Sequence, residues 1–246
     1  LQTIAQRFVS NKVDMVCTIA TPAAQTMANA TKEIPIVGTA ITDYKVAKLV
    51  KDNSQPGTNV TGTTDMNPVE AQIELLVKIM PKAKTVGFIY NSSEVNSQLQ
   101  IELAKKAAAA RGLKTVEATV SSVNDIQQAA QSLVGKVDAM YVPTDNVLAS
   151  AMPNLIKITD EAKIPVFCGE AGMTKAGGVA TLGIDYYKLG FQTGEMAADI
   201  LSGKAKPQNM AIQAQKTFTV TLNDAQIKKL GLTIPDDILK EAKGAK

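Results

Sequence analysis

The chain has 246 residues, of which 45% are hydrophobic and 20% are charged, and its formal net charge is only +3. This composition is typical of a packed globular protein with one large or two small domains. The near-neutral charge, with lysines scattered over the chain, argues against nucleic-acid binding, and no apolar run approaches the ~18 residues of a membrane span. The chain contains no histidine, which excludes Ser-His-Asp triads, Cys-His dyads and most zinc sites.

Helices and strands alternate along the first part of the sequence. Ile4 and Phe8 recur at helical spacing, residues 13–20 form an apolar run typical of a strand buried on both faces, and Thr21 and Pro22 suit the start of a helix. The predicted elements are a helix at 1–10, a strand at 13–20, a helix at 21–30, and strands at 34–40 and 60–64. Cys17 and Cys168 each fall in a predicted strand, so we expect two buried, unreactive thiols without a disulfide.

The same alternation continues to the carboxyl terminus. The predicted elements are helix 67–80, strand 85–90, helix 96–111, strand 113–120, helix 123–134, strand 138–142, a helix from 146 to about 162, strand 164–168, strand 179–182, helix 186–201, strand 218–222 and a final helix at 224–230. Residues 169–178 are predicted to form a loop. Strands that alternate with helices predict an α/β protein with parallel sheets covered by helices on both faces.

One unit of sequence occurs twice, at 1–37 and at 126–167. In this alignment Lys12-Val13-Asp14 matches Lys136-Val137-Asp138, and Thr21 matches Thr144. The repeat predicts two similar doubly wound lobes with a ligand cleft between them, Thr21 and Thr144 facing each other across it. We assign residues 1–66 and 186–215 to the N-terminal lobe, and residues 67–185 and 216–246 to the C-terminal lobe.

The two copies differ in what precedes them. A strand, a polar loop, a helix and a strand lead into the second copy at 85–125, and nothing equivalent precedes Leu1. In a doubly wound sheet the first strand of a lobe is central, so we expect about forty further residues before Leu1 in the full protein. The N-terminal lobe, as written, therefore lacks its first strand-helix-strand.

Polar side chains follow almost every predicted strand. Ligands of open α/β sheets bind beyond the carboxyl ends of the strands, and this places the candidate ligand-binding residues there. They are Thr21, Pro22, Ala23, Thr42, Asp65, Tyr90, Asn91, Ser92, Ser93, Glu94, Asn96, Ser97, Thr144, Asp145, Asn146, Glu170, Asp185 and Tyr186. The alternative for any single position is a helix cap, because Ser, Thr, Asp and Asn are the best N-caps.

These residue types suit an amino acid as ligand. Hydroxyls and helix amino termini at 21–23 and 92–97 are suited to an α-carboxylate, and Asp145, Glu170 or Asp185 to an α-ammonium group. Tyr90 and Tyr186 are candidates for an apolar wall, with ordinary core packing as the alternative. No GxSxG, GxxxxGK[ST] or HExxH motif occurs, so we predict no catalytic residue, metal or cofactor.

Several segments resemble a known family. VDMVCTIATPAAQTMANATKEIPIV, TVGFIYNSSEVNSQ, VDAMYVPTDNVLASAMP and GGVATLGIDYYKLGFQTGEMAADIL are similar to the ABC transporter substrate-binding family that includes tryptophan/tyrosine-binding lipoproteins. The resemblance implies a type I periplasmic-binding-protein fold, lobes that close over a ligand by a hinge, a membrane permease as partner, and an extracytoplasmic, often lipid-anchored location. It also implies ligand contacts from 91–97 and 144–146 in one lobe and from 21–23 in the other.

The residues alone leave three functions open. These are a solute receptor that closes by hinge motion, the ligand-sensing module of a regulator with the same fold, and a hydrolase or isomerase that uses cleft carboxylates. With the resemblance we predict the first, a monomeric and non-enzymatic receptor for an aromatic or branched apolar amino acid.

Overall fold

The computed structural model describes residues 1–244, and the chain forms two compact units. Unit 1 consists of Leu1–Met66 and Asp185–Thr217, and unit 2 of Asn67–Ile184 and Phe218–Lys246. Asp185, Lys216 and Thr217 therefore belong to unit 1, whereas the sequence placed them in the C-terminal lobe. Asp185 belongs there because its carboxylate caps a helix of unit 1, where it accepts hydrogen bonds from the amides of Tyr187 and Lys188.

The helices and strands follow the predicted alternation. The helices are α1 (Gln2–Ser10), α2 (Thr21–Ala30), α3 (Val69–Ile79), α4 (Val95–Ala110), α5 (Ile126–Leu133), α6 (Asn146–Ser150), α7 (Met152–Glu161), α8 (Ala171–Lys175), α9 (Tyr186–Leu201), α10 (Asp224–Leu230) and α11 (Asp236–Gly244). The strands are β1 (Val16–Ile19), β2 (Ile36–Ile41), β3 (Val60–Thr64), β4 (Thr85–Asn91), β5 (Lys114–Val120), β6 (Ala139–Val142), β7 (Val166–Cys168), β8 (Ala180–Gly183), β9 (Gln213–Ala214) and β10 (Thr219–Leu222). Short 3-10 helices form at Val123–Asp125 and Pro207–Asn209. None of the helices at 1–244 is long and apolar enough to cross a bilayer.

Unit 1 is built on a parallel sheet with the order β1-β2-β3-β9. Helix α2 packs on β1 and β2, and α9 packs on β2 and β3. Val16 and Thr18 of β1 are buried, whereas Cys17 is exposed and Ile19 is 71% exposed. The prediction of a strand buried on both faces, with a buried Cys17, is therefore wrong, because only the face of β1 that carries Val16 and Thr18 is buried.

A buried tyrosine fixes the end of β3. The Tyr44 hydroxyl donates a hydrogen bond to the Thr63 carbonyl oxygen at 3.0 Å. A Cβ on Gly62 would lie 2.0 Å from the Gly38 carbonyl oxygen and 2.4 Å from the Tyr44 hydroxyl, and Gly62 has a φ of +146°. Only glycine fits this position, and the tight packing anchors the strand that leads to Asp65. Burial, followed by the negative charge of Asp65, raises the pKa of Tyr44 well above its usual value.

Unit 2 is built on a six-stranded sheet with the order β10-β8-β7-β6-β4-β5. All neighbouring strands are parallel except β10, which runs antiparallel to β8. The predicted parallel arrangement is confirmed for the other strands, and β10 is an antiparallel edge strand. Two apolar clusters cover the sheet, one centred on Phe88 and Tyr141, and the other on Ile89 and Met140. Cys168 is buried in the second cluster, as predicted.

Four local features differ from the prediction. The helix predicted at 146–162 is divided into α6 and α7 at Ala151, just before Pro153 in the first turn of α7. Residues 171–175, predicted as loop, form α8, which Glu170 caps through the amides of Gly172 and Met173. Strand β9 and helix α11 were not predicted. The first has only two residues, and the second follows α10, which was expected to be the last helix.

Candidate functional site

The carboxyl ends of β4 and β6 bring a polar cluster together in unit 2. These strands are parallel neighbours, so the segments that follow them lie at the same edge of the sheet. The first segment leads into α4 and the second into α6. Together they contribute the predicted residues Asn91, Ser93, Glu94, Asn96, Ser97, Thr144, Asp145 and Asn146.

Glu94 is the anionic centre of this cluster and is only 7% exposed. Its Oε2 accepts hydrogen bonds from Asn96 Nδ2 at 3.0 Å and Asn146 Nδ2 at 2.6 Å. Its Oε1 accepts one from Asn91 Nδ2 at 3.3 Å. Among the ion pairs within residues 1–244, none includes Glu94 or Asp145. The carboxylate is therefore held by neutral amides, without a cation to balance it.

Asp145 is a buried residue of the cluster with a structural role. It is 1% exposed, and its Oδ1 accepts a hydrogen bond from the Leu148 amide at the start of α6. Its Oδ2 accepts hydrogen bonds from the Asn91 amide at 2.6 Å and from Ser97 Oγ at 2.7 Å. Burial, followed by the nearby charge of Glu94, raises the pKa of the Asp145 carboxyl above its usual value. Because both oxygens are occupied, the geometry favours the capping interpretation that the sequence left open.

Two buried polar atoms of the cluster have no hydrogen-bond partner within residues 1–244. They are Asn96 Oδ1 and Thr144 Oγ1, and the only other such side-chain atoms in this range are Thr18 Oγ1 and Asn53 Oδ1. Asn96 is 5% exposed, and its Nδ2 is oriented by Glu94, which can only accept. Buried polar atoms without a partner are rare and costly, so this pair beyond the ends of β4 and β6 makes the cluster a candidate ligand site.

Four residues that were not predicted from the sequence hold this cluster in place. Gln100 forms hydrogen bonds with the backbone of Thr144. Asn67 and Gln72 both donate to the Gly169 carbonyl oxygen, and a Cβ on Gly169 would lie 2.4 Å from the Thr144 nitrogen. The position of Gln100, one helical turn after Asn96, was the available signal for it. The other three act through tertiary contacts that leave no local pattern.

Three other candidates of unit 2 lie outside the cluster's hydrogen bonds. The Tyr90 hydroxyl donates to Glu117 Oε2 at 2.9 Å, which supports the alternative of packing with a satisfied hydroxyl. Glu170 caps α8 through the amides of Gly172 and Met173. Ser92 is exposed, and its carbonyl oxygen accepts a hydrogen bond from the side chain of Gln98.

In unit 1, three predicted residues meet beyond β2 and β3. The buried carboxylate of Asp65 accepts hydrogen bonds from Tyr186 at 2.8 Å and Thr42 at 3.3 Å. Asp185 is the N-cap of α9.

The remaining unit 1 candidates lie at the start of α2. Thr21 is the first residue of α2 rather than its cap, and Pro22 and Ala23 complete the first turn. Ala20 occupies the cap position with a φ of +72°, and no side chain caps this helix.

The chain is similar to a known family and to known proteins. The model of the family described as ABC transporter substrate binding protein matches residues 1–246. A tyrosine-binding protein of Clostridioides difficile (strain R20291) is 42% identical over 231 residues, which cover 94% of this chain and 67% of the relative.

Two solved structures are similar at the level of sequence and fold. The ABC domain of Streptococcus pneumonia in complex with L-Trp is 41% identical with a TM-score of 0.95, covering 98% of this chain and 81% of that chain. A ligand-free, open structure of a substrate-binding protein with adhesive properties from Clostridium difficile is 45% identical with a TM-score of 0.70, covering 96% of this chain and 80% of that chain. These similarities confirm the type I periplasmic-binding-protein fold. The chain belongs to the ABC transporter substrate-binding protein family.

Proposed function

We propose that this protein is a non-enzymatic, extracytoplasmic receptor of an ABC importer that binds L-tryptophan or L-tyrosine at the polar cluster of unit 2. The observation that carries the proposal is the pair of unpartnered atoms, Asn96 Oδ1 and Thr144 Oγ1, in a cluster that contains the uncompensated carboxylate of Glu94. A hydrogen-bond acceptor, a hydroxyl and an anion at one end of a sheet can together bind the ammonium and carboxylate groups of an α-amino acid.

The ammonium group of the ligand is assigned to the acceptors of the cluster. Asn96 Oδ1 can only accept a hydrogen bond, and Glu94 supplies the negative charge that an ammonium group requires. Glu94 and Asn96 are linked directly by a hydrogen bond of 3.0 Å. A cation beside them would satisfy an unpartnered atom and balance a buried charge at once.

The carboxylate of the ligand is assigned to the amino terminus of α4. This helix has 16 residues, and no side chain caps it. The amides of Val95 and Asn96 in its first turn have no acceptor within the helix, and such amides bind carboxylates. The adjacent Thr144 hydroxyl can serve as a further donor.

The choice of an aromatic ligand rests on the relatives. One is named for tyrosine binding and another was solved with L-Trp, at 42% and 41% identity respectively. The permease partner, a monomeric state and a lipid anchor at the cell surface are proposed from the family and from the sequence resemblance.

The chain contains no tryptophan, which permits a direct test. Emission excited at 295 nm will come only from added L-tryptophan, so its shift and anisotropy report binding without background. We expect saturable binding of L-tryptophan and competition by L-tyrosine. Tryptamine lacks the carboxylate and N-acetyl-L-tryptophan lacks the ammonium group, and each should bind about 100-fold more weakly, as expected for an unpaired buried charge. Equal binding of all three compounds would contradict the proposal.

A pair of matched variants tests the location of the site. Thr144→Val removes Oγ1 while it preserves the shape of the side chain, and we expect about tenfold weaker L-tryptophan binding. Thr159→Val is the control, because Thr159 is buried in α7 and its hydroxyl bonds only to its own helix. If both variants retain wild-type affinity, Thr144 is not a ligand contact.

The sequence also predicted ligand contacts at Thr21–Ala23, Thr42, Asp65, Asp185 and Tyr186, which all belong to unit 1, and these contacts stay a prediction. Asp65→Asn in the same assay addresses it. Unchanged L-tryptophan affinity in that variant would remove the Asp65 carboxylate from the proposed site.

A further inference from the structure

We infer that Gln100 is a positioning residue of the amino-acid site, which holds the backbone of Thr144 so that Oγ1 is presented to the ligand. The inference rests on the proposed function, because it assigns a role in binding the same amino acid. It extends that function to a residue that makes no proposed contact with the ligand.

The Gln100 carboxamide engages both peptide groups of Thr144. Its Oε1 accepts a hydrogen bond from the Thr144 amide at 3.0 Å, and its Nε2 donates to the Thr144 carbonyl oxygen at 3.1 Å. Nε2 also donates to the Asn96 carbonyl oxygen at 3.0 Å. Gln100 is 1% exposed, so these bonds are shielded from water, where losing them is costly. One side chain therefore ties together the two residues that carry the unpartnered atoms.

A glycine also packs closely against Thr144. A Cβ on Gly169 would lie 2.4 Å from the Thr144 nitrogen and 3.0 Å from its Oγ1. The Gly169 carbonyl oxygen is itself held by Asn67 Nδ2 at 2.9 Å and Gln72 Nε2 at 3.0 Å. Thr144 is thus held by hydrogen bonds with the Gln100 carboxamide and packs closely against the Gly169 backbone.

Gln100 is carried by a long helix that packs on the sheet. Gln100 lies one turn after Asn96 in the 16-residue helix α4, which packs on β4 and β5. Binding groups that are held before the ligand arrives do not have to be ordered during binding. If only a fraction of molecules presents Thr144 correctly, the apparent affinity falls by that fraction.

This role predicts a kinetic signature that loss of stability alone does not produce. Gln100→Met keeps the length of the side chain and removes all three hydrogen bonds. We expect L-tryptophan to bind at least about tenfold more weakly, with the loss in the association rate and little change in the dissociation rate. Stopped-flow anisotropy of L-tryptophan measures both rates. Gln226→Met is the control, since Gln226 is a buried glutamine of α10 whose side chain bonds to Asp160 instead.

A double-mutant cycle tests whether Gln100 acts through Thr144. Adding Gln100→Met to Thr144→Val should cost much less affinity than Gln100→Met costs alone, because the presented hydroxyl is already gone. Gln100→Glu provides a second variant that keeps an acceptor for the Thr144 amide, and in it the hydrogen exchange of that amide should stay slower than in Gln100→Met.

The possible outcomes separate the two proposals. If the wild-type protein binds neither L-tryptophan nor L-tyrosine, the proposed function fails and the role of Gln100 fails with it. If the wild-type protein binds L-tryptophan and folded Gln100→Met binds it with the same association rate, or if the cycle is additive, the positioning role alone is overturned.

Discussion

The two copies of the repeated unit fold alike but end in different local structures. In unit 1 the copy forms α1, β1, α2 and β2, and in unit 2 it forms α5, β6, α6 with α7, and β7. Thr21 and Thr144 stand two residues after the ends of β1 and β6. Thr21 enters helix α2 directly, with Ala20 at a φ of +72° in the cap position. Thr144 stays outside the helix, and Asp145 after it is the cap.

The difference comes from what lies beside each copy. Strand β6 pairs with β4 on one side and β7 on the other, whereas β1 pairs only with β2 among residues 1–244. Glu94, Asn96 and Gln100 follow β4, outside the repeat. The repeated unit therefore supplies a threonine at a strand end, and in unit 2 the neighbouring strand β4 and helix α4 add the other residues of the proposed site.

Thiol labelling should distinguish the exposed Cys17 of β1 from the buried Cys168 of β7. Cys17 is exposed and Cys168 is 1% exposed, so Cys168 reacts only when unit 2 opens. We expect N-ethylmaleimide to modify Cys17 at least about a thousandfold faster than Cys168, because at most about one native molecule in a thousand is unfolded at any time. Desolvation, which is partial at Cys17 and complete at Cys168, raises the pKa of both thiols and slows both reactions. Mass spectrometry of peptides at pH 8 measures the rates, and equal rates would contradict the burial of β7.

Replacing a glycine by alanine should lower the free energy of unfolding by different amounts in the two sheets. Gly62→Ala places a Cβ 2.0 Å from backbone at a φ of +146°, and we expect the free energy of unfolding to fall by about 4 kcal/mol. Gly87→Ala in β4 meets only side chains, the nearest at 3.1 Å, and should cost about 1 kcal/mol. Urea unfolding followed by circular dichroism measures both. A larger loss of free energy of unfolding for Gly87→Ala than for Gly62→Ala would contradict this expectation.

Asp145 and Pro22 are aligned in the two copies, but replacing each by alanine should change the free energy of unfolding by different amounts. Asp145→Ala removes a helix cap and leaves the Asn91 amide and Ser97 hydroxyl without their acceptor. We expect it to lower the free energy of unfolding by about 3 kcal/mol, whereas Pro22→Ala should change it by less than about 1 kcal/mol. Chemical denaturation measures both, and a stability near wild type for Asp145→Ala would refute its structural role.

The smallest effect concerns the start of the repeated helix. In unit 2 a capping box of Ser122 and Asp125 precedes α5, whereas Leu1 precedes α1 without a side-chain cap. Hydrogen bonds from Ser121 and Ser122 lower the pKa of Asp125 to about 2. Because the folded pKa is depressed, this stabilisation is present above the unfolded value of ~3.9 and is lost as pH falls towards 2.

Asp125→Asn should therefore reduce stability at neutral pH and match the wild type near pH 2. Thermal unfolding at a series of pH values measures the difference. A constant gap between the two proteins at all pH values would show that ionised Asp125 is not the cause.

Much of the fold could be predicted from the sequence because its signals are local. The apolar run before Thr21, the spacing of Ile4 and Phe8, and the residues Gly112 and Pro81 at element ends gave most helices and strands. Helix α8 was missed because it has only five residues. The antiparallel direction of β10 was missed because a strand's partner is a tertiary property.

The candidate site was predictable in part. The strand-end rule placed Asn91–Asn96 and Thr144–Asn146 at one edge, because parallel neighbours end together. It could not separate ligand contacts from caps, since Asp145 and Glu170 suit both roles and only their hydrogen-bond partners decide between them. Gln100, Gln72 and Asn67 were missed because their partners lie 44 or more residues away in the chain.

A crystal structure with L-tryptophan would show whether the polar cluster of unit 2 binds the ligand. We expect the α-ammonium nitrogen of the ligand within ~3.2 Å of Asn96 Oδ1 and beside Glu94, and the ligand carboxylate at the first-turn amides of α4. A complex in which Asn96 Oδ1 and Thr144 Oγ1 both remain without a ligand contact would contradict it.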